Sequence, residues 1–264
     1  MDFSRIKAVV LDMDGVLWRG DQPLPGLKDF FQFLTDRGIR FSLATNNSRR
    51  TQIEYVAKLA RFGVEHVKES HIMTSGIATA SYMQTVYPPH SLVYVIGGSG
   101  LRFELQKAGF VLGDENVRAV VVGIDLEFNY LKAKMATRLL REGADFIATN
   151  ADRTLPLEDG LAPGAGSLVA LLQTASDRHP LVIGKPNRAM FEAVLRQMGS
   201  LAEETLMIGD RLNTDIEGAY HAGLKTALVL TGVSTREEAA AYPVKPNAIF
   251  ENLPDLMAQW KSSR

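Results

Sequence analysis

The sequence predicts an α/β protein: a doubly wound parallel sheet into which a second α/β domain is inserted. Three observations carry that expectation. Short apolar runs alternate with helical apolar spacings along nearly the whole chain, which is the pattern of βαβ units. Several of these runs stop at a carboxylate, a hydroxyl or a lysine, and the carboxyl ends of strands are where open α/β sheets bind ligands. These polar ends fall in two blocks, residues 12–48 and 185–215, and the middle of the chain lacks them. One domain split by another is the simplest arrangement, with residues 1–78 and 179–264 forming the core and 79–178 the insertion.

The first strand is the apolar run from Ala8 to Leu11, which ends in Asp12-Met13-Asp14-Gly15-Val16. Gly15 lets the backbone turn sharply there. Residues 20–26 form a loop with Pro23 and Pro25, after which Leu27, Phe30, Phe31 and Leu34 recur at helical spacing until Gly38. Ile39 to Ala44 is the second strand, ending in Thr45-Asn46-Asn47-Ser48, and residues 51–62 form a helix. A further helix runs from about Ser75 to Pro88.

The inserted set begins near Ser91. Strands are expected at 92–96, 119–122 and 146–148, and helices at 101–108, 130–141 and 165–174. The core resumes with a strand at 181–183, broken by Gly184-Lys185-Pro186-Asn187 before a helix over 188–198. Leu206 to Ile208 leads to Gly209-Asp210, Ala227 to Leu230 is another strand, and a last helix follows Pro254. No internal repeat or low-complexity tract interrupts the pattern.

Composition narrows the function. The chain has 264 residues with 46% hydrophobic and 22% charged, ordinary for a globular protein. A formal net charge of −1 gives no global field for nucleic acid or an anionic membrane. Cysteine is absent, which removes disulfides, thiolate nucleophiles and cysteine-based zinc sites and suits a reducing compartment. No stretch approaches the roughly 18 uncharged apolar residues of a membrane span. A cytoplasmic protein is the expectation.

In a parallel sheet the four polar strand ends lie side by side. They carry Asp12 and Asp14, Thr45 and Asn46, Lys185, and Asp210 with Asp215 five residues on. Several acids, a lysine and a hydroxyl on one rim are costly unless something binds there. Phosphoryl transfer is the chemistry that suits them, because its transition state spreads charge over oxygens that must be positioned and neutralised. Mg²⁺ takes oxygen ligands, and Asp12 and Asp210 can supply them. Lys185 can meet a phosphate oxygen as a point charge. The Thr45 hydroxyl and backbone N–H groups beyond the strands, at Met13, Asn46 and Asn47, are available for the rest. A carboxylate can also attack phosphorus, and Asp14 can pass the proton.

These residues resemble the haloacid dehalogenase (HAD) superfamily of phosphatases. Asp12-Met13-Asp14-Gly15-Val16 is similar to its first motif, Thr45-Asn46-Asn47-Ser48 to its second, Lys185 to its third, and Gly209-Asp210 with Asp215 to its fourth. The resemblance implies that Asp12 is the nucleophile, forming an aspartyl-phosphate, and Asp14 the acid/base and a metal ligand through its carbonyl. It implies further that Thr45 and Lys185 hold phosphate, Asp210 ligates Mg²⁺ and Asp215 orients metal-bound water. Asp14 argues for a phosphatase, since dehalogenases and P-type ATPases lack that second acid.

Thr149-Asn150 with Asp152, Pro163-Gly164 with Gly166, and Gly184-Lys185-Pro186 look closest to the NagD-like, p-nitrophenyl phosphatase branch. That branch inserts a large α/β cap between the second and third motifs. It implies a small phosphorylated metabolite as substrate (a sugar phosphate, a nucleoside monophosphate or similar) and a homodimer formed through the cap.

Other readings compete at particular residues. Asn150 and Asp152 either face the substrate from the cap or form an Asx-type turn. Asp215 either serves the metal or merely favours a helix N-terminus. Gly97-Gly98-Ser99-Gly100 has the start of a dinucleotide turn, but Phe103 stands where the third glycine belongs. Trp18 is a packed aromatic or a flank of the site. A phospho-accepting receiver module also uses an acid pair, a threonine and a lysine, but it is about half this length. A catalytically idle metabolite sensor is the remaining alternative, disfavoured by intact acids at every motif.

Overall fold

The computed structural model describes residues 1–157 and 160–263, and the chain forms two compact units. The first comprises residues 1–45, 53–73 and 185–264, and the second residues 46–52 and 74–184. The second unit therefore takes in the short segment after Thr45, which apolar patterning alone does not assign to it.

The first unit is built on a six-stranded sheet ordered Ala248–Phe250, Lys225–Val229, Thr205–Gly209, Ala8–Leu11, Arg40–Thr45, Ile72–Thr74. Ala8–Leu11 pairs in parallel with a neighbour on each side, Leu11 lying opposite Ile208 on one and Leu43 on the other. All four of its residues are fully buried, as expected for a central strand covered on both faces. The chain leaves this strand toward Arg40–Thr45 and returns much later on its other side. That reversal of direction opens a crevice at the strand ends, beside Asp12.

Helices cover the sheet because their apolar residues share a face. In Leu27–Asp36, Leu27, Phe30, Phe31, Phe33 and Leu34 are buried. They join Trp260 of the last helix, Leu253–Ser262, and Ile208 of the sheet in one core. Arg188–Met198 buries Met190, Phe191, Ala193 and Val194.

The second unit holds a five-stranded parallel sheet ordered Leu181–Val182, Asp145–Ala148, Ala119–Val122, Leu92–Ile96, Val111–Leu112. Leu181–Val182, expected to resume the core, is instead an edge strand here, so the strand ends before Asp12, before Asp210 and at Thr45 share the six-stranded sheet but the strand before Lys185 does not. Ala133, Ala136, Leu139 and Leu140 of the helix Tyr130–Arg141 pack on it with Val169 and Leu172 of Ala165–Ser176. The glycine cluster after Leu92–Ile96 opens the helix Ser99–Lys107. A Cβ on Gly100 would lie 2.6 Å from the Arg49 carbonyl oxygen, so these glycines admit the 46–52 segment.

Two antiparallel ribbons escape sequence patterning, the first because it has two residues per strand, the second because Pro156 and Pro163 mask its strands. Trp18–Arg19 with Gln22–Pro23 lies where only a loop is expected, and Thr154–Leu157 pairs with Gly160–Pro163. No helix among the described residues is long and apolar enough to cross a membrane.

Candidate active site

Asp12 begins where the central strand stops. Its N–H still donates to the Ile208 carbonyl at 2.9 Å, so the last ladder bond fixes the backbone from which the carboxylate projects. Lys185 reaches the same place from the start of the returning segment. Its ammonium donates to Asp12 Oδ1 at 2.6 Å, to Asp215 Oδ1 at 2.7 Å and to the Ala44 carbonyl at 3.1 Å. All three of these charged residues are buried. Asp215 sits on a π-helical turn, Leu212–Ile216, whose extra residue per turn re-aims side chains. Its second oxygen accepts from the Arg211 N–H at 3.1 Å.

Asp210 follows the adjacent strand Thr205–Gly209. Its Oδ2 accepts from the Val233 N–H at 2.8 Å, and its carbonyl accepts from the Ser234 N–H at 3.0 Å. The other carboxylate oxygen, Oδ1, is buried and has no hydrogen-bond partner. The loop that grips Asp210 passes very close. A Cβ on Gly232 would fall 1.9 Å from Asp210 Oδ2, and one on Gly15 would fall 2.5 Å from it. Both positions therefore have to be glycine for the carboxylate to stand where it does.

Oxygens of Asp12, Asp210 and Asp215 all lie within 4.8 Å of one another. Three carboxylates against one ammonium leave two negative charges to be balanced. Burial, then the neighbouring Asp215 and Asp210, push Asp12 well above the usual carboxylate range in spite of Lys185. Burial and Asp215 raise Asp210 to about 6. Burial alone would lower Lys185, but Asp12 and Asp215 outweigh it and hold the ammonium above its ordinary range. A divalent cation fits this set on two counts: the donors are all hard oxygens, and Asp210 Oδ1 is a buried acceptor that lacks a partner.

Asp14 stands apart from the three carboxylates in exposure. Its side chain is solvent-exposed, and its Oδ1 accepts from the Trp18 indole N–H at 2.8 Å. Thr45 closes its strand and is buried. The Met13 side chain is fully buried, so only the main chain of that residue faces the strand-end loop. Its carbonyl accepts from the Leu17 N–H at 2.8 Å, closing the turn that carries Asp14.

Asn46, Asn47, Asn150 and Asp152 belong to the second unit, where they form a polar network. Asn150 Nδ2 donates to the Asn46 carbonyl at 2.7 Å, and its Oδ1 accepts from the Asp152 N–H at 3.1 Å. The latter is the Asx-type turn weighed for this pair. Asn46 Nδ2 donates to Asp152 Oδ1 at 3.2 Å, and Asn47 Oδ1 accepts from the Arg49 N–H at 3.0 Å.

Sequence reading misses the loop Thr231-Gly232-Val233-Ser234, which grips Asp210 with main-chain N–H groups that no motif of polar side chains reports. Trp18, weighed as a packed aromatic or a flank of the site, is both: its ring is buried and its indole N–H donates to Asp14, a bond that the sequence does not signal.

Comparison with known proteins converges on one family. A model described as haloacid dehalogenase-like hydrolase matches residues 9–111, and one described as HAD-hydrolase-like matches residues 182–256. The chain is 38% identical over 249 residues to a dihydroxyacetone phosphatase of Corynebacterium glutamicum, covering 94% of this chain and 90% of that protein. It superposes on NagD of Escherichia coli K-12 with a TM-score of 0.89 at 35% identity, covering 94% and 97% of the two chains. A glycerol phosphate phosphatase of Mycobacterium tuberculosis, solved in complex with magnesium, superposes at 0.90 with 32% identity, covering 96% of this chain and 77% of that one.

Proposed function

Because the chain belongs to the haloacid dehalogenase-like hydrolases, in their NagD-like branch of phosphoric monoester hydrolases, we propose that it is a Mg²⁺-dependent phosphatase working through an aspartyl-phosphate on Asp12. The observation that carries the reading is the convergence of Asp12, Lys185, Asp210 and Asp215 at one crevice of the sheet.

A carboxylate oxygen of Asp12 attacks phosphorus and forms an acyl-phosphate bond as the ester P–O bond breaks. Asp14 gives its proton to the departing alkoxide. It then takes a proton from water as the water oxygen attacks phosphorus, which frees the Asp12 carboxylate and inorganic phosphate. Lys185 neutralises phosphoryl oxygen charge from a fixed position, and Thr45 with the main-chain N–H groups after the strands orients the group. Asp12, Asp210 and the Asp14 carbonyl would hold the cation, with Asp215 beside them. When bound, the cation supplies charge neutralisation at the phosphoryl group.

The substrates are small phosphorylated metabolites, with three-carbon and sugar phosphates first, a choice supported by the relatives named for dihydroxyacetone and glycerol phosphates. The first unit carries the chemistry and the inserted unit selects the leaving group as a cap. Phosphate release from a panel of metabolite phosphates, with Mg²⁺ and with chelator, tests this. Hydrolysis should require Mg²⁺ and fall at least about 10³-fold in Asp12→Asn, as expected when a nucleophile is removed. Undiminished turnover in that variant would exclude the aspartyl-phosphate route.

A further inference from the structure

We propose that Trp18 is a positioning residue for Asp14, and that the buried Lys58 sets the indole from behind. The inference rests on the reading of Asp14 as the acid/base. Asp14 lies on an exposed turn, where a carboxylate ordinarily samples several rotamers. Its Oδ1 is instead tied to the Trp18 Nε1–H at 2.8 Å. Asp14 and Trp18 are also joined through the backbone, by a β-bridge and by the Gly15 N–H donating to the Trp18 carbonyl at 2.8 Å. An N–H held on Oδ1 directs any proton on this carboxyl to Oδ2, so one oxygen alone exchanges protons with the leaving group.

The indole can serve as a fixed donor because its surroundings enclose it. Trp18 is fully buried, between Tyr55 at 6.4 Å and Phe62 at 6.1 Å, measured between ring centroids. The Lys58 ammonium lies 4.4 Å from the Trp18 ring centroid. It donates to the Gly20 carbonyl at 2.7 Å and lies 3.5 Å from Asp21 Oδ1. Gly20 and Asp21 form the turn of the ribbon that begins at Trp18. A lysine almost wholly withdrawn from water is costly. Here it joins the ribbon turn to the face of the ring, which fixes both ends of the segment that carries the donor.

Leaving-group dependence separates positioning of an acid from general support of the fold. p-Nitrophenolate departs without a proton, whereas an alkoxide needs one. kcat/KM reports only the steps up to ester cleavage, so it isolates proton donation. In Trp18→Phe, kcat/KM for glycerol 3-phosphate should fall about 10- to 100-fold, a part of the roughly 10²–10⁴-fold that general acid catalysis contributes. That for p-nitrophenyl phosphate should fall by less than about threefold. In Asp14→Asn, where no acid remains to be positioned, adding Trp18→Phe should change neither value further. Lys58→Met keeps the indole N–H and should show the same selectivity at smaller amplitude; it carries the test if Trp18→Phe does not fold.

Equal losses on the two substrates, or additive effects in the Asp14→Asn background, would overturn the proposal. Wild-type protein inactive on both esters in Mg²⁺ would overturn the phosphatase reading itself, and the proposal with it.

Discussion

Gly232 shows how tightly the strand-end carboxylates are fitted. Its Cα hydrogen faces Asp210, and the Cβ of an alanine would lie 1.9 Å from Oδ2, far inside contact distance. Gly232→Ala must therefore displace the Asp210 carboxylate or the Val233 N–H that holds it. Apparent Mg²⁺ affinity, read from the metal dependence of phosphate release, is expected to weaken about 10- to 100-fold, the usual cost of disturbing the groups that orient a ligand. Lys185 raises the opposite question, since it balances carboxylates that are already buried. Lys185→Met leaves Asp12 and Asp215 without their ammonium and should cost about 3–5 kcal/mol at pH 7.5 in urea unfolding. Protonation of Asp12 relieves that excess charge, so the deficit should shrink at pH 5. An equal deficit at both pH values would mean that packing, not charge, is what the lysine supplies.

Elements were legible in the sequence to the extent that one physical signal governs them. The helix Leu27–Asp36 buries one face, and its apolar residues recur at the helical period. The strand Ala8–Leu11 is buried on both faces and is a plain apolar run closed by a carboxylate. The ribbon Trp18–Arg19 with Gln22–Pro23 has two residues per strand, too few for an alternation to show. The π-helical turn Leu212–Ile216 differs from an α-turn by one backbone bond, which composition does not report. At the site, the charged groups were legible because acids at strand ends are costly. The donors gripping Asp210 were not, because they are main-chain N–H groups on a loop whose place is set by the fold. Capping is a local signal that can be checked directly. Asn252 Oδ1 accepts from the Asp255 N–H at 2.9 Å at the start of Leu253–Ser262, which has proline in its first turn. Asn252→Ala should lower stability by about 1 kcal/mol and leave kcat unchanged.

At the scale of the whole molecule, the acidic cluster makes stability depend on pH in a direction unlike that of most carboxylates. Folding raises Asp210 from 3.8 to about 6 through burial and the nearby Asp215. Between those values the folded chain binds the proton more tightly than the unfolded chain does, so stability falls as pH rises. The loss amounts to on the order of 3 kcal/mol from this group and is complete above about pH 6. Asp12, raised by burial in the same sense, adds to it. A divalent cation held as proposed would reverse the sign, because it would bind the ionised carboxylates of the folded chain and find no such cluster in the unfolded one. At a hundredfold excess over Kd it contributes about 2.7 kcal/mol. Metal-free protein should therefore melt at a higher temperature at pH 5 than at pH 7.5, with Mg²⁺ narrowing or inverting that order, and the rise in Tm on adding Mg²⁺ should be small at pH 5 and large at pH 7.5. Asp210→Asn removes this raised carboxylate and a proposed metal ligand, so its melting temperature should depend on pH less than that of the wild type, with Asp12 supplying what remains, and should respond weakly to Mg²⁺. A variant that kept the full Mg²⁺ response would place the cation elsewhere than beside Asp210.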